Sequence, residues 1–190
     1  NNSGLFLPHQ LIRTFKGYEL VAIGNLIVKA FPKSHDASDP YSFIVSGNDV
    51  NIGVLTDIGT PCTHVINNFK ECHAAFLEAN YDEEMLETGG YPYYLKNRIR
   101  SGRGHLSNVQ ALEIFTEHRS PFLSHVILSH LSRENNSPQL VHKLFLEQAG
   151  NTTVIVASRD YETAVYEITG NLSTSTQILK PQSVVQTTLF

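Results

Sequence analysis

Apolar and polar positions fall into no stable period from Asn1 to Lys16, and that stretch reads as loop. The pattern changes at Tyr18. Leu20 to Phe31 is apolar and rich in β-branched residues on both sides of Gly24-Asn25, which predicts two strands joined by a tight turn. Ser42 to Ser46 and Val50 to Thr56, separated by Gly47-Asn48-Asp49, predict a second hairpin. Pro61 can open a helix that runs through Val65, Ile66 and Phe69, and the short apolar run Ala74 to Ala79 suits a buried strand. Pro92 to Arg100 and Ser107 to His118 have helical spacing, the second with Ala111, Leu112, Ile114 and Phe115 on one face and Ser107 or Asn108 as cap. Strands are expected at Ser124 to Ser129, Thr152 to Ala157 and Ala164 to Thr169, and a helix ended by Gly150 at Pro138 to Gln148. Hairpins first and helices interleaved afterwards give an α/β chain built on a mixed sheet.

Length and composition narrow this picture. A chain of 190 residues with 41% hydrophobic content can bury one core, and no repeat or linker divides it. One domain over residues 1–170 is expected, with the Ser/Thr/Gln-rich stretch 171–190 as a flexible tail. Fourteen basic against eighteen acidic residues leave a net charge of −4, so nucleic acid would have to be gripped locally and not by a broad basic surface. No apolar run approaches the roughly 18 residues that span a bilayer. Cys62 and Cys72 lack a paired spacing and read as free thiols, which fits a reducing, cytoplasmic setting.

Candidate chemistry sits in three segments that each follow a predicted strand: Ser34-His35-Asp36-Ala37, Leu55-Thr56-Asp57-Ile58-Gly59 and Leu128-Ser129-His130-Leu131-Ser132. Imidazole and carboxylate are ligands for zinc, manganese and iron, and one carboxylate can bridge two ions. His35, Asp57 and His130 are thus a chemically reasonable partial ligand set. The spacing by itself does not separate this reading from a capping Asp and core histidines.

Five separated motifs occur in a fixed order: Phe31-Pro32-Lys33-Ser34-His35-Asp36-Ala37-Ser38-Asp39-Pro40, then Thr56-Asp57-Ile58-Gly59, then Leu77-Glu78-Ala79-Asn80-Tyr81-Asp82-Glu83-Glu84-Met85-Leu86, then Gly102-Arg103-Gly104-His105-Leu106-Ser107-Asn108, then His130-Leu131-Ser132-Arg133-Glu134-Asn135-Asn136. Together, over about Tyr18 to Gly170, they resemble the YycJ-type branch of the metallo-β-lactamase-fold hydrolases. The resemblance implies part of an αββα sandwich, a mixed sheet flanked by helices, with a centre of two divalent ions, zinc, manganese or iron. It assigns His35 to one ion, His130 to the other and Asp57 to the bridge. His105 becomes a proton donor or oxyanion stabiliser, a task suited to a side chain that titrates near neutrality. Asp36, Asn80 and Asp82 would stand beside the metals or near the substrate, or else serve turns and caps. Where the family often has His, this chain has Tyr81. His64, His73, His118, His125 and His142 match no motif.

The family's His-x-His-x-Asp-His signature, which precedes these motifs, does not occur in the 190 residues, and His9 is the single histidine ahead of His35. The expectation is a chain that began further upstream. The implied activity is metal-assisted hydrolysis, of a phosphodiester in nucleic acid or in a small molecule; a lactone, thioester or cyclic nucleotide would use the same metals. A non-catalytic binding or assembly module made from half the fold is the alternative of a different class. No membrane partner is expected, and the sequence does not specify the oligomeric state.

Overall fold

A computed structural model describes residue 8 and residues 12–170. Its frame is a seven-stranded sheet in which spatial order follows chain order: β1 (Leu20–Ile23), β2 (Leu26–Pro32), β3 (Tyr41–Gly47), β4 (Val50–Leu55), β5 (Ala74–Glu78), β6 (His125–Ser129) and β7 (Thr153–Val156). β1 to β4 form an antiparallel meander. Two-residue turns join β1 to β2 and β3 to β4, while residues 33–40 link β2 to β3. Gly24 takes φ +58° in the first, and Asn48 and Asp49 take φ 50° and 60° in the turn between β3 and β4, the left-handed pair that matches strand twist. From β4 onward pairing is parallel, so each return needs a crossover. The crossovers carry α1 (Thr63–Phe69), then α2 (Glu83–Thr88), α3 (Tyr93–Ile99) and α4 (Asn108–His118), then α5 (Pro138–Leu146).

This topology has a direct functional consequence. β2 runs with β4 because two antiparallel steps separate them, and β4 to β7 are mutually parallel, so the C-terminal ends of β2, β4, β5, β6 and β7 share one edge of the sheet.

Strand alternation sends one set of side chains to a single core. Phe31, Ile44, Leu55, Leu77 and Leu128 meet Val65 and Phe69 of α1, Ile114 and Phe115 of α4, and Val141 and Phe145 of α5, all of them buried. The rings of Phe115 and Phe145 stand 5.4 Å apart. Ser107 caps α4 in a reciprocal capping box with Gln110, and Ser137 caps α5 ahead of Pro138. The opposite face is also apolar. Register aligns Ala30, Phe43, Val54, Phe76, Ile127 and Ile155 in one row across six strands, and Phe76, in the middle of it, is 40% exposed. Phe15 lies against Tyr41 and Phe43, and Tyr166 stacks near His125, so only parts of that face are covered among the described residues.

Three sequence expectations need comment. Ala164 to Thr169 forms no strand, and Tyr166 packs on His125. α2 was not anticipated, because Glu83–Thr88 is short, mostly polar and buries only Leu86. The tail 171–190 and most of the first eleven residues lie outside the described residues, while 12–16 are irregular as expected. No helix among the described residues is long and apolar enough to cross a membrane.

The cysteines offer a check on this packing. Both are free thiols, Cys62 half-buried and Cys72 fully buried, with burial pushing the Cys72 thiol up to about 12. Because the thiolate is the reactive form, the native chain is expected to react with Ellman's reagent at Cys62 alone, with Cys72 reacting only on unfolding. Rapid reaction of both in native buffer would contradict the core described above.

Candidate metal centre

The shared strand edge gathers the residues singled out from sequence. β2 leads to His35, β4 to Asp57 and β6 to His130, and β5 ends on Glu78. Asp57 and His130 adopt φ 54° and 58°, a left-handed conformation that Asp and His tolerate better than most residues but that still costs about 1–3 kcal/mol, the kind of strain that clusters at functional sites. Neighbouring loops are locked together by backbone contacts. The Ser34 carbonyl accepts from the Gly59 amide at 2.6 Å, and Ser34 Oγ donates to the Gly102 carbonyl at 2.6 Å. A side chain at Gly59 would strike the backbone of Gly102 and Arg103, and one at Gly104 would strike the carbonyls of Arg98 and Ile99. Glycine is therefore required where the loop that carries His105 closes over the strand edge.

At the centre lies Glu78, with no exposed surface. Oε1 accepts from Nδ1 of His105 and from Nδ1 of His130, each at 2.7 Å, while Oε2 accepts from the Ile58 amide at 2.5 Å. Burial works against the charge, but the hydrogen bonds from His105 and His130 outweigh it and hold the Glu78 carboxyl below its ordinary range. His130 is shifted up, chiefly by its hydrogen bond to Glu78. An ionised carboxylate only accepts, so both imidazoles must present Nδ1–H to it and turn Nε2 outward. His35 does the same against a different acceptor, donating Nδ1–H to the Gly104 carbonyl at 2.9 Å.

The outward nitrogens of His130 and His35 converge on Asp57. Its Oδ1 is 3.5 Å from His130 Nε2 and 3.7 Å from His35 Nε2, and the His105 ring lies 5.2 Å from that of His35 and 5.1 Å from that of His130. Two donors about 2.1 Å from one ion at a tetrahedral angle stand roughly 3.4 Å apart, so these spacings fit metal ligation without rearrangement. Ligand-capable atoms of Asp57, Glu78, His105 and His130 all fall within 4.8 Å of one another. Of these, Glu78 is the least free to take an ion, since both of its oxygens are engaged and neither reaches solvent.

The surrounding residues divide by what they touch. Asp36 lies 3.5 Å from His35 Nε2, and its other oxygen pairs with Arg98 Nε at 2.5 Å; that hydrogen bond holds the Asp36 carboxyl below its usual range. Asn80 Nδ2 donates to the His130 carbonyl at 2.7 Å and so fixes the loop behind the imidazole. Asp82 is not drawn into the cluster: its side chain caps α2 by accepting from the Met85 amide at 2.9 Å. Tyr81 is buried, its phenol pushed up to about 12 by that burial. Lys33 donates to the Thr56 carbonyl at 2.5 Å, and burial lowers its pKa although Asp57 and Glu78 pull the other way. Glu78 was not picked out as a site residue by reading the sequence. The available signal was a glutamate ending an otherwise apolar strand, which burial without partners would not permit.

No family model matches the chain. Among curated proteins, it is 32% identical over 122 residues to the exodeoxyribonuclease YycJ of Bacillus anthracis, covering 64% of this chain and 46% of that protein. It is 33% identical over 125 residues to the exodeoxyribonuclease WalJ of Streptococcus pneumoniae (strain D39), covering 66% and 46%. The chain therefore spans about half the length of the curated relatives it matches. Among solved structures, the metallo-β-lactamase fold protein YhfI from Bacillus subtilis superposes with TM-score 0.58 at 14% identity, over 77% of this chain and 52% of that one. Zinc-bound PqqB from Methylobacterium extorquens gives 0.53 at 12% identity, over 76% and 53%. At such identities these structures establish the fold and nothing further.

The Glu78 anchor can be tested directly. Two-dimensional ¹H–¹⁵N spectra of the histidine side chains are expected to place the proton of both His105 and His130 on Nδ1, and Glu78→Leu is expected to abolish that pattern and lower stability by about 1–3 kcal/mol. A native spectrum with the proton of either ring on Nε2 alone would contradict the arrangement.

Proposed function

We propose that this chain, which is similar to the exodeoxyribonucleases YycJ and WalJ and has a metallo-β-lactamase fold, supplies one side of the active site of a metal-dependent phosphodiesterase that acts on nucleic acid. The observation that supports this most is the buried Glu78 carboxylate, which fixes His105 and His130 in one tautomer with Nε2 outward, beside Asp57 and His35. Both curated relatives are named exodeoxyribonucleases, which favours a DNA substrate.

In this reading His35, His130 and the Asp57 carboxylate would hold the divalent ions. Neutral imidazole and carboxylate suit zinc, manganese or iron. Bound ions would lower the pKa of an attacking water and offset charge on the phosphate. The chain's own residues do the rest. His105, tied to Glu78 at one nitrogen, offers the other as proton donor to the departing oxygen. Asn80 fixes the backbone of His130, and Asp36 keeps Arg98 beside the rim. Because His-x-His-x-Asp-His does not occur in this sequence, the ligand set is partial, and weak metal binding by the chain is the expected result. A cytoplasmic setting suits the two free thiols.

Ligand and acid roles separate cleanly by experiment. In a polypeptide that joins a His-x-His-x-Asp-His segment to this chain, Asp57→Ala is expected to lose metal and rate together. His105→Ala should keep its metal and lose turnover by roughly 10²- to 10⁴-fold. Metal content by plasma emission spectroscopy and phosphodiester hydrolysis are measured on the same samples. If His105→Ala sheds metal as readily as Asp57→Ala, the histidine is a ligand and the proposed roles are wrong.

A further inference from the structure

Between Gly89 and Gly104 the chain has no acidic residue, yet this stretch holds Lys96, Arg98, Arg100 and Arg103 together with Tyr91, Tyr93 and Tyr94. In a molecule with a net charge of −4 it is a local exception. It is also an exception in packing. α3 buries none of its residues, and Tyr93 and Tyr94 are 72% and 74% exposed, although large aromatic side chains usually bury most of their surface.

What α3 lacks in core contacts it makes up in polar tethers. Lys96 donates to the Glu87 carbonyl, Arg100 pairs with the Glu87 carboxylate at 2.9 Å and lies 5.9 Å over the Tyr93 ring, and Arg98 pairs with Asp36. Asp36 adjoins His35 in sequence, so the last of these ties the helix to the strand edge. Beyond the helix, the Arg103 backbone packs against Gly59 and the Gly104 carbonyl receives His35, while Arg103 itself is exposed and has no side-chain hydrogen bond among the described residues. The exposed residues Tyr93, Tyr94, Arg98 and Arg103 therefore belong to one segment that is tied to the imidazole cluster at Asp36 and His35.

We propose that this segment is a platform for single-stranded DNA, on which Arg98 and Arg103 contact phosphates next to the scissile group and Tyr93 and Tyr94 stack on unpaired bases. The proposal rests on the phosphodiesterase reading of the adjoining site and adds how the strand is held. Free phenol rings match the faces of splayed bases, which a duplex keeps stacked on one another. Only four cations with two of them facing Glu87 suit a short strand segment better than a duplex backbone, whose charge density calls for a wider basic surface.

The test is binding of a short fluorescein-labelled oligothymidylate to the 190-residue chain, followed by anisotropy with EDTA present so that no hydrolysis intervenes. Single strand is expected to bind more tightly than a duplex of equal length. Tyr93→Ala and Tyr94→Ala should each weaken binding by roughly 5- to 150-fold, the range for loss of one stacked base, with Tyr93→Phe near the original. Arg103→Ala should reduce the slope of log K against log salt by about 0.7. Equal affinity for duplex, absence of binding, or tyrosine variants that bind like the original would overturn the platform, the last pointing to a protein partner for α3. If the alanine variants unfold, as judged by circular dichroism, ultraviolet crosslinking of the unaltered chain decides: adducts at Tyr93 or Tyr94 support the platform and adducts confined elsewhere refute it. Binding with the expected dependence in a protein that proves unable to hydrolyse phosphodiesters would refute the catalytic reading and leave the platform standing.

Discussion

A carboxylate with no access to water must be met by donors, and at Glu78 three donors arrive from three separate segments of the chain. Leaving a buried charge unpaired costs several kcal/mol, so each of those segments is held to the position that the carboxylate requires. Ile58 brings the loop after β4, His130 the loop after β6 and His105 the connection between α3 and α4. The same contacts that satisfy the charge thus set the tautomer of two imidazoles and aim Nε2 of His130 at Asp57. Fold stability and site geometry are, at this point, one constraint.

The sheet makes that meeting achievable at modest cost. Parallel order from β4 to β7 delivers successive chain ends to one edge, and the left-handed residues Asp57 and His130 turn the backbone as soon as each strand stops. Glycines at 59 and 104 let neighbouring loops approach to backbone contact, and the Asn108–Asn136 amide pair, bonded in both directions at 3.0 and 2.8 Å, fastens the start of α4 to the loop that follows His130. Strain at the strand ends is offset by this network and by the core that α1, α4 and α5 build on one face. The other face, with Phe76 partly bare, is the less protected side of the molecule.

Much of this was legible in the sequence where local chemistry decides the outcome. Gly24-Asn25 and Asn48-Asp49 between β-branched runs announce hairpins, and Ser107 and Ser137-Pro138 announce helix starts, because turn and cap preferences act within a few residues. Asp82 shows the limit of that logic in the other direction, since the local reading as a cap was available and is the contact observed. Where partners are distant, the sequence is silent. Nothing near Glu78 in the chain reveals that His105 and His130 will complete it, and Ala164 to Thr169 has a strand-like composition yet forms no strand. His35, Asp57 and His130 were brought forward by resemblance to a family's ordered motifs, since their spacing alone carries little information.

The claim on which everything turns is that Glu78 orients imidazoles and does not itself take the ion. Anomalous diffraction at the zinc or manganese edge from crystals soaked in that metal measures this directly. The account predicts a peak about 2.0–2.2 Å from His130 Nε2 and from the Asp57 carboxylate, with Glu78 still bonded to Nδ1 of His105 and His130. A peak on the Glu78 carboxylate, or imidazoles bound through Nδ1, would contradict it.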